Sequence, residues 1–379
     1  MSTEPGRDCF EGDDRQYSPT RLKGLLDFVY GADRAKPEHL TKAERTALSA
    51  QDLVRYDDRR VVWHANIGPI KTPQLLELHD DLTEIVDSNR HDGDKAKPAV
   101  LVDAYPGLGK STAILDYARD YYRRQVALRG ETTPDGQRRV PLIYVALTGN
   151  THIRGLNAAI CRFYGLPDRG DADTLAERAK DAVLTMKTAV FIVDDIHFLA
   201  PSHTNANAVR MANHLKFLSN TFPVTLIYVG VGVRQRGILT EGHAPEQMLF
   251  AQFGRRTTPL TLRPFQVEDE QGRQEWRRLL LSIERQLVLS ELYPGMLADN
   301  LSDYLFARSS GHFASLMALI NRGCLRAIRT GYERLDTELM DKVKNDAAAE
   351  DARRELVAAI EAGLLTSRPK NRTPRRRTA

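Results

Sequence analysis

Leu101-Val102-Asp103-Ala104-Tyr105-Pro106-Gly107-Leu108-Gly109-Lys110-Ser111-Thr112 is the stretch on which the reading of this chain turns. It opens as an apolar run, Ala99 to Val102, of the kind a buried parallel strand shows. It bends through Pro106, Gly107 and Gly109 and ends on Lys110-Ser111, ahead of a helix-like pattern of Ile114, Ala118, Tyr121 and Tyr122. Strand, glycine-rich loop and helix in that order form a phosphate-binding loop. The glycines let successive backbone N–H groups face one concavity, and the helix N-terminus adds free donors. Lys110 supplies a point charge for β- and γ-phosphates, and the Ser111 hydroxyl can hold Mg2+. Pro106, Gly107, Leu108, Gly109, Lys110, Ser111 and Thr112 are thus the candidate contacts to ATP. One position departs from the usual G-x-x-x-x-G-K-[ST]: Ala104 stands where the first glycine belongs, and its methyl group is tolerated if φ stays negative there. A chance glycine-rich turn is the bland alternative; the strand before it and the helix after it argue against that.

The surrounding composition is that of an ordinary globular protein, 42% hydrophobic and 27% charged over 379 residues, a length that suggests two or three domains. No apolar run reaches the ~18 residues of a membrane span. The longest, Val224 to Val233, fits a buried strand. Met1 to Asp14 is polar and acidic, unlike a secretory signal. Cys9, Cys161 and Cys324 are distant and odd in number, which points to a reducing cytoplasm and against a disulfide framework or zinc site. A net charge of +4 permits nucleic-acid binding without demanding it.

Upstream of the loop, the residues to about Asp58 read as a polar, partly helical arm. Pro19-Thr20-Arg21-Leu22 opens a short amphipathic stretch, and Thr41-Lys42-Ala43-Glu44 has capping-box spacing. Arg59, Arg60, Trp63 and His64 read either as a surface turn anchored by the Trp or as a ligand or partner contact. Thr72-Pro73 starts a helix, with Thr72 as N-cap and an apolar stripe of Leu75, Leu76, Leu78, Leu82, Ile85 and Val86.

Downstream, Leu142 to Leu147 is a second buried strand and Ala189 to Val193 a third. The third ends on Asp194-Asp195, the acids a phosphate-loop enzyme needs at that place: Asp194 for Mg2+ and Asp195 to orient the attacking water. A solvated strand end is the alternative. Val224 to Val231 is a fourth strand and Thr258 to Leu262 a short fifth, with Arg255 and Arg256 just before it where an arginine finger would lie. Strands alternating with helices predict an α/β fold with a doubly wound parallel five-stranded sheet. From Gln266 the apolar spacing is helical throughout, which predicts a small helical lid. Thr366 to Ala379 holds six cations and no acid and reads as disordered.

The order of these motifs narrows the field. Trp63-His64-Ala65-Asn66, Lys71-Thr72-Pro73, the phosphate loop, Pro141-Leu142-Ile143-Tyr144-Val145, Val193-Asp194-Asp195-Ile196-His197, Val229-Gly230-Val231-Gly232, Arg255-Arg256 and the segment from Gly311 to Gly331 follow one another. The chain thereby resembles the TniB-type ATPases of bacterial DNA transposons, relatives of TnsC, MuB and IstB, over about Arg59 to Asp346. The resemblance implies an AAA+ P-loop NTPase, ATP-dependent homo-oligomers on double-stranded DNA, recruitment of a DDE-type transposase, and a bacterial cytoplasmic, nucleoid-associated location. Taken with the composition along the chain, it gives residues 1–58 as an arm, 59–264 as the ATPase domain, 265–365 as the lid and 366–379 as a basic tail. It would make Arg255 or Arg256 act on a neighbouring subunit's nucleotide. It would set His152 and Arg154 on a loop facing a central DNA channel; the uncompensated charge of the tail makes Arg375, Arg376 and Arg377 candidates for further phosphate contacts, a solubilising terminus being the alternative. AAA+ enzymes usually carry glutamate where Asp195 stands, which is consistent with slow hydrolysis here. A small polar sensor is absent or displaced at Gly230-Val231-Gly232, and Ala314 takes the place of a common lid arginine.

A signalling or defence NTPase of the STAND kind is the alternative, since its phosphate-loop modules also favour two acids after the third strand. Such proteins normally carry long repeat or effector domains beyond the lid, and this sequence stops soon after it, so the expectation favours the transposition reading.

Overall fold

The computed structural model describes residues 17–91, 97–149, 151–199, 206–233 and 256–370. Contacts divide the chain into two compact units. The first takes residues up to Ala32, Leu76–Pro106 and Lys110–Leu262; the second takes Asp33–Leu75, Gly107–Gly109 and everything from Arg263.

The first unit is built on five parallel strands: β1 Ala99–Ala104, β2 Leu142–Ala146, β3 Val190–Asp194, β4 Thr225–Val231 and β5 Thr257–Leu262. Their order in the sheet is β2-β3-β4-β1-β5. β1 and β3 are buried along their whole length, as continuous apolar runs require when helices cover both faces. The doubly wound parallel sheet expected from the alternating pattern is therefore present. Its register pairs Asp103 with Gly230 and Ala146 with Asp194. β4 lies between β1 and β3, so the carboxyl ends of these three strands come side by side, the place where open α/β sheets bind ligands.

Helices of this unit are α1 Leu22–Tyr30, most of α4 Pro73–Ser88, α5 Lys110–Arg129, α6 Ile153–Phe163, α7 Ala172–Thr185 and α8 Ala206–Thr221. The amphipathic stretch opened by Pro19 forms α1. Its Leu25 and Val29 are buried, and the Val29 carbonyl accepts a 2.7 Å hydrogen bond from Arg123 Nε on α5. Thr72 caps α4 as its spacing predicts, its hydroxyl accepting from Leu75 N at 3.2 Å.

The second unit is helical. It contains α2 Lys42–Thr46, α3 Ala50–Ala65 and the helices Glu270–Glu284, Ser302–Ser309, Phe313–Thr330, Thr337–Asp341 and Ala347–Glu361. The capping box at Thr41 is complete: Glu44 N donates to Thr41 Oγ1 at 3.3 Å and Thr41 N to Glu44 Oε2 at 2.8 Å. Trp276, Leu280, Ile283, Leu305, Leu316 and Ile320 are buried in one apolar core, where Trp276 meets Phe306 edge to face at 5.3 Å.

The structure corrects the reading of Arg59 to His64 as a surface turn. These residues are the last turns of α3, and Tyr56, Arg60 and His64, spaced by four, form its buried stripe. Arg60 makes a bidentate pair with Glu333, Nη1 to Oε2 at 2.7 Å and Nη2 to Oε1 at 3.0 Å, and Nη2 also reaches Asp57. Pairing and hydrogen bonds at this density are what allow a guanidinium into a core. His64 Nε2 accepts from Val288 N at 3.0 Å, and Trp63 Nε1 donates to Gln286 O at 2.7 Å. The first residues of the basic C-terminal segment also have partners. Ser367 N and Oγ donate to Asp303 Oδ1 at 2.7 and 2.8 Å, and Arg368 Nε lies 3.1 Å from Asp303 Oδ2.

Candidate nucleotide-binding site

The loop between β1 and α5 departs from the standard pattern without loss. Ala104 is the last residue of β1, buried and paired with Val231 and Leu262. The chain is still extended there, so no glycine is needed. The bend falls on Gly107 and Gly109, with φ of 76° and 77°. Those left-handed angles turn successive peptide N–H groups toward one side, the nest geometry that receives phosphate oxygens. Lys110 and Ser111 are the first residues of α5 and remain accessible. Tyr105, Pro106 and Thr112 are exposed, and Leu108 is buried.

Across the intervening strand, Asp194 closes β3. Its carboxylate is buried and held from three directions. Oδ1 accepts from Asp195 N at 2.8 Å; Oδ2 accepts from Tyr144 Oη at 2.5 Å and from Ser111 Oγ at 3.2 Å. The two residues expected to hold Mg2+ are thus brought together. Tyr144 was not anticipated as part of the site. Burial and then the neighbouring Asp194 charge push its hydroxyl well above the ordinary tyrosine range, so it stays a donor.

Asp195 follows in a left-handed conformation, φ 59°, which a carboxylate side chain tolerates better than most. Single strained residues of this kind persist where the surroundings hold them. The holding contacts are the Asp195 N–H to Asp194 and Phe198 N to Asp195 O at 3.1 Å, the start of a 3-10 turn over Ile196–Leu199. Asp195 Oδ1 lies 3.8 Å from His197 Nδ1.

Asp103 ties down the segment after β4, its Oδ1 accepting from Val233 N at 2.9 Å. Gly230 explains why no sensor side chain occurs there. A Cβ at that position would stand 2.4 Å from Val233 Cγ2 and 2.7 Å from Ile196 Cγ2. The space a sensor would use is filled by the residues that flank it.

The remaining predicted residues lie elsewhere. Arg256 immediately precedes β5; its carbonyl accepts from Ala99 N at 2.7 Å, so it sits at the amino end of β1, roughly 17 Å of strand from the loop. Its side chain is exposed. Arg255, Arg375, Arg376 and Arg377 lie outside the described residues. His152 precedes α6 and Arg154 is in its first turn; both are exposed, at the same sheet end as Asp194, and Arg154 Nε donates to Gly170 O at 2.8 Å. Ala314 lies in the first turn of Phe313–Thr330.

Comparison with known proteins agrees with this architecture. The family description "AAA domain" matches residues 93–238. Among solved structures, the Aeropyrum pernix ORC2 protein in ADPNP–ADP complexes is similar at 14% identity and TM-score 0.53, over 79% of this chain and 72% of that one. Its ADP form gives 16% identity and TM-score 0.54, over 75% and 71%. The Aeropyrum pernix ORC1 protein in complex with DNA gives 17% identity and TM-score 0.51, over 78% and 69%. No curated protein matches the sequence. The chain has the AAA+ P-loop NTPase fold, a five-stranded parallel sheet with a helical C-terminal region, similar to that of the ORC proteins.

Proposed function

We propose that this protein binds and hydrolyses ATP with Mg2+, assembles with copies of itself on double-stranded DNA, and helps a DDE-type transposase reach its target. The observation that carries the first step is the meeting of Ser111 Oγ and Asp194 Oδ2 at 3.2 Å beside a loop with two left-handed glycines. An alcohol and a carboxylate, oxygen donors only, suit a hard divalent ion, and Tyr144 and Asp195 N fix the carboxylate's orientation. Mg2+, when bound, offsets negative charge on the β- and γ-phosphates. The protein's own groups do the rest. The N–H groups of the Gly107–Gly109 bend and the N-terminus of α5 receive phosphate oxygens, Lys110 pairs with them, and the Asp195 carboxylate accepts a hydrogen bond from the attacking water.

Arg255 or Arg256 acts in trans in this account. Arg256 is far along the sheet from its own chain's phosphate loop, which suits a residue serving a neighbour. For DNA, exposed His152 and Arg154 and the Arg-rich C-terminal segment offer phosphate contacts without base readout, so binding is sequence-tolerant. The likeness to an ORC1 protein solved with DNA makes duplex DNA the partner to test first. The transposase and the cytoplasmic, nucleoid-bound location rest on the TniB-like order of motifs. No described helix is long and apolar enough to cross a membrane.

The test combines one variant with one titration. Asp195→Asn is expected to keep ATP affinity and lose turnover; persisting turnover removes Asp195 from the chemistry. With ATP and duplex DNA at ~50 mM salt, the protein is expected to form oligomers on the DNA by light scattering. A monomer with no DNA retained would remove assembly and the transposition role, leaving the nucleotide site intact.

A further inference from the structure

We infer a second binding site, separate from the phosphate loop, that takes a small apolar monocarboxylate. It is a cavity of about 200 Å3 within the first unit, between α1, the far end of α5 and the hairpin that follows α5. Roughly 18 Å of helix separate Lys110 from Tyr122, which lines it. Sites for drug-sized molecules hold ~300–1,000 Å3, so the occupant here is smaller than a nucleotide.

The charge lining the cavity is what points to a ligand. Arg139 is only 9% exposed, yet no carboxylate among the described residues pairs with it. The other two buried arginines among those residues do have acids: Arg60 pairs with Asp57 and Glu333, and Arg308 with Glu350. Arg139 Nε donates to Gly130 O at 3.0 Å and Nη2 to Thr132 O at 3.2 Å, which fixes the guanidinium at the end of α5 and leaves Nη1 over. The carboxyl end of a helix offsets about half a positive charge at most. The remainder calls for an anion, because an uncompensated charge in a buried position is costly. Arg138 lines the same cavity, exposed and with no side-chain hydrogen bond or ion pair among the described residues. Its backbone is set by the bridge to Thr132.

The rest of the lining sets the kind of anion. Glu131 is the one acid in it, so two guanidiniums and one carboxylate leave a single positive charge. That matches a monoanion, and Glu131 opposes a polyphosphate or a DNA backbone. The walls are apolar: Leu26 of α1, Val126 of α5, and an aromatic corner where Tyr30 and Tyr122 meet edge to face, centroids 6.1 Å apart and planes at 88°. Tyr122 is anchored, its hydroxyl donating to Arg139 O at 3.1 Å. Burial and then the Glu131 charge raise the pKa of Tyr30, so its hydroxyl stays a donor. A planar carboxylate matches a guanidinium fork through two parallel N–H···O bonds. An inorganic anion would leave Leu26, Val126 and both rings uncovered, whereas a carboxylate with an apolar body buries them.

Phenylacetate is the probe, titrated calorimetrically into the full chain, with phenylacetamide and inorganic phosphate as controls. The expected result is saturable binding of one phenylacetate per chain, with both controls at least tenfold weaker. Arg138→Gln should weaken phenylacetate at least tenfold. Arg138 is exposed, so this variant keeps the fold, which circular dichroism checks. No saturable binding, equal binding of the amide or of phosphate, or unchanged binding in Arg138→Gln overturns the assignment and leaves Arg139 as a tether of the helix end. Binding of a peptide with a free C-terminal phenylalanine, but not of phenylacetate, also overturns it and gives the cavity to a partner's chain end. ATP affinity in Mg2+ is expected to be the same in Arg138→Gln and wild type, so failure of this site leaves the nucleotide reading intact.

Discussion

The Ser111 hydroxyl lies 3.2 Å from Asp194 Oδ2, although 83 residues separate them in the chain. Strand β4 stands between the two strands that deliver them, so this distance is a product of the sheet order and of the register, in which Tyr228 of β4 pairs with both Leu101 of β1 and Val193 of β3. Everything proposed for the nucleotide site depends on that approach.

Tyr144 secures it from the far side. Tyr144→Phe removes a buried hydrogen bond to a carboxylate, a loss of ~1.5–3 kcal/mol in unfolding free energy. Asp194 would then be held only by its own turn and Ser111. Urea unfolding reads the stability, and the Mg2+ concentration needed for ATP binding is expected to rise several-fold. An unchanged Mg2+ requirement would show that Tyr144 matters to folding alone.

Gly230→Ala tests the packed sensor position. Its new methyl group meets Val233 Cγ2 at 2.4 Å and Ile196 Cγ2 at 2.7 Å, both inside normal contact. Overpacking of this kind costs ~1–3 kcal/mol, and the shift falls on the segments that hold Asp103 and Asp195. Lower stability together with weaker ATP binding is expected. Stability equal to wild type would mean the two side chains move aside freely.

The sheet and the ligand end of each strand were legible in the sequence because apolar runs ending in Gly-Lys-Ser and Asp-Asp obey local rules. Helix starts at Thr41 and Thr72 were legible for the same reason. Tyr144 was not, because its role depends on register: Ala146 pairs with Asp194, so Tyr144 two residues earlier shares that face. Arg60 and His64 were misread because polar residues occupy core positions of α3, and their partners Glu333 and Val288 are more than 220 residues away. Gly230 read as a missing sensor, whereas its cause is the volume of Ile196 and Val233.

His64 gives the second unit a pH dependence. Burial first, and the nearby Arg60 charge next, lower its pKa from 6.5 to about 4. Above pH 6.5 it is neutral folded and unfolded. Between pH 6.5 and 4 the unfolded chain takes up a proton that the folded chain refuses, so stability falls as pH falls. The full effect is on the order of 3 kcal/mol. His64→Gln keeps an acceptor for Val288 N and should flatten the fall in urea midpoint across that window. An equally steep fall in the variant would assign the pH dependence to other groups.

Isothermal titration of ATP with Mg2+ into wild type and Lys110→Ala tests the central claim most directly. Wild type is expected to bind one ATP per chain. The variant loses a charge-assisted phosphate contact of ~1.5–3 kcal/mol, and its affinity should drop at least tenfold with the fold unchanged by circular dichroism. Equal affinity in the two proteins, or no binding by wild type, would contradict the assignment of this loop as the nucleotide site.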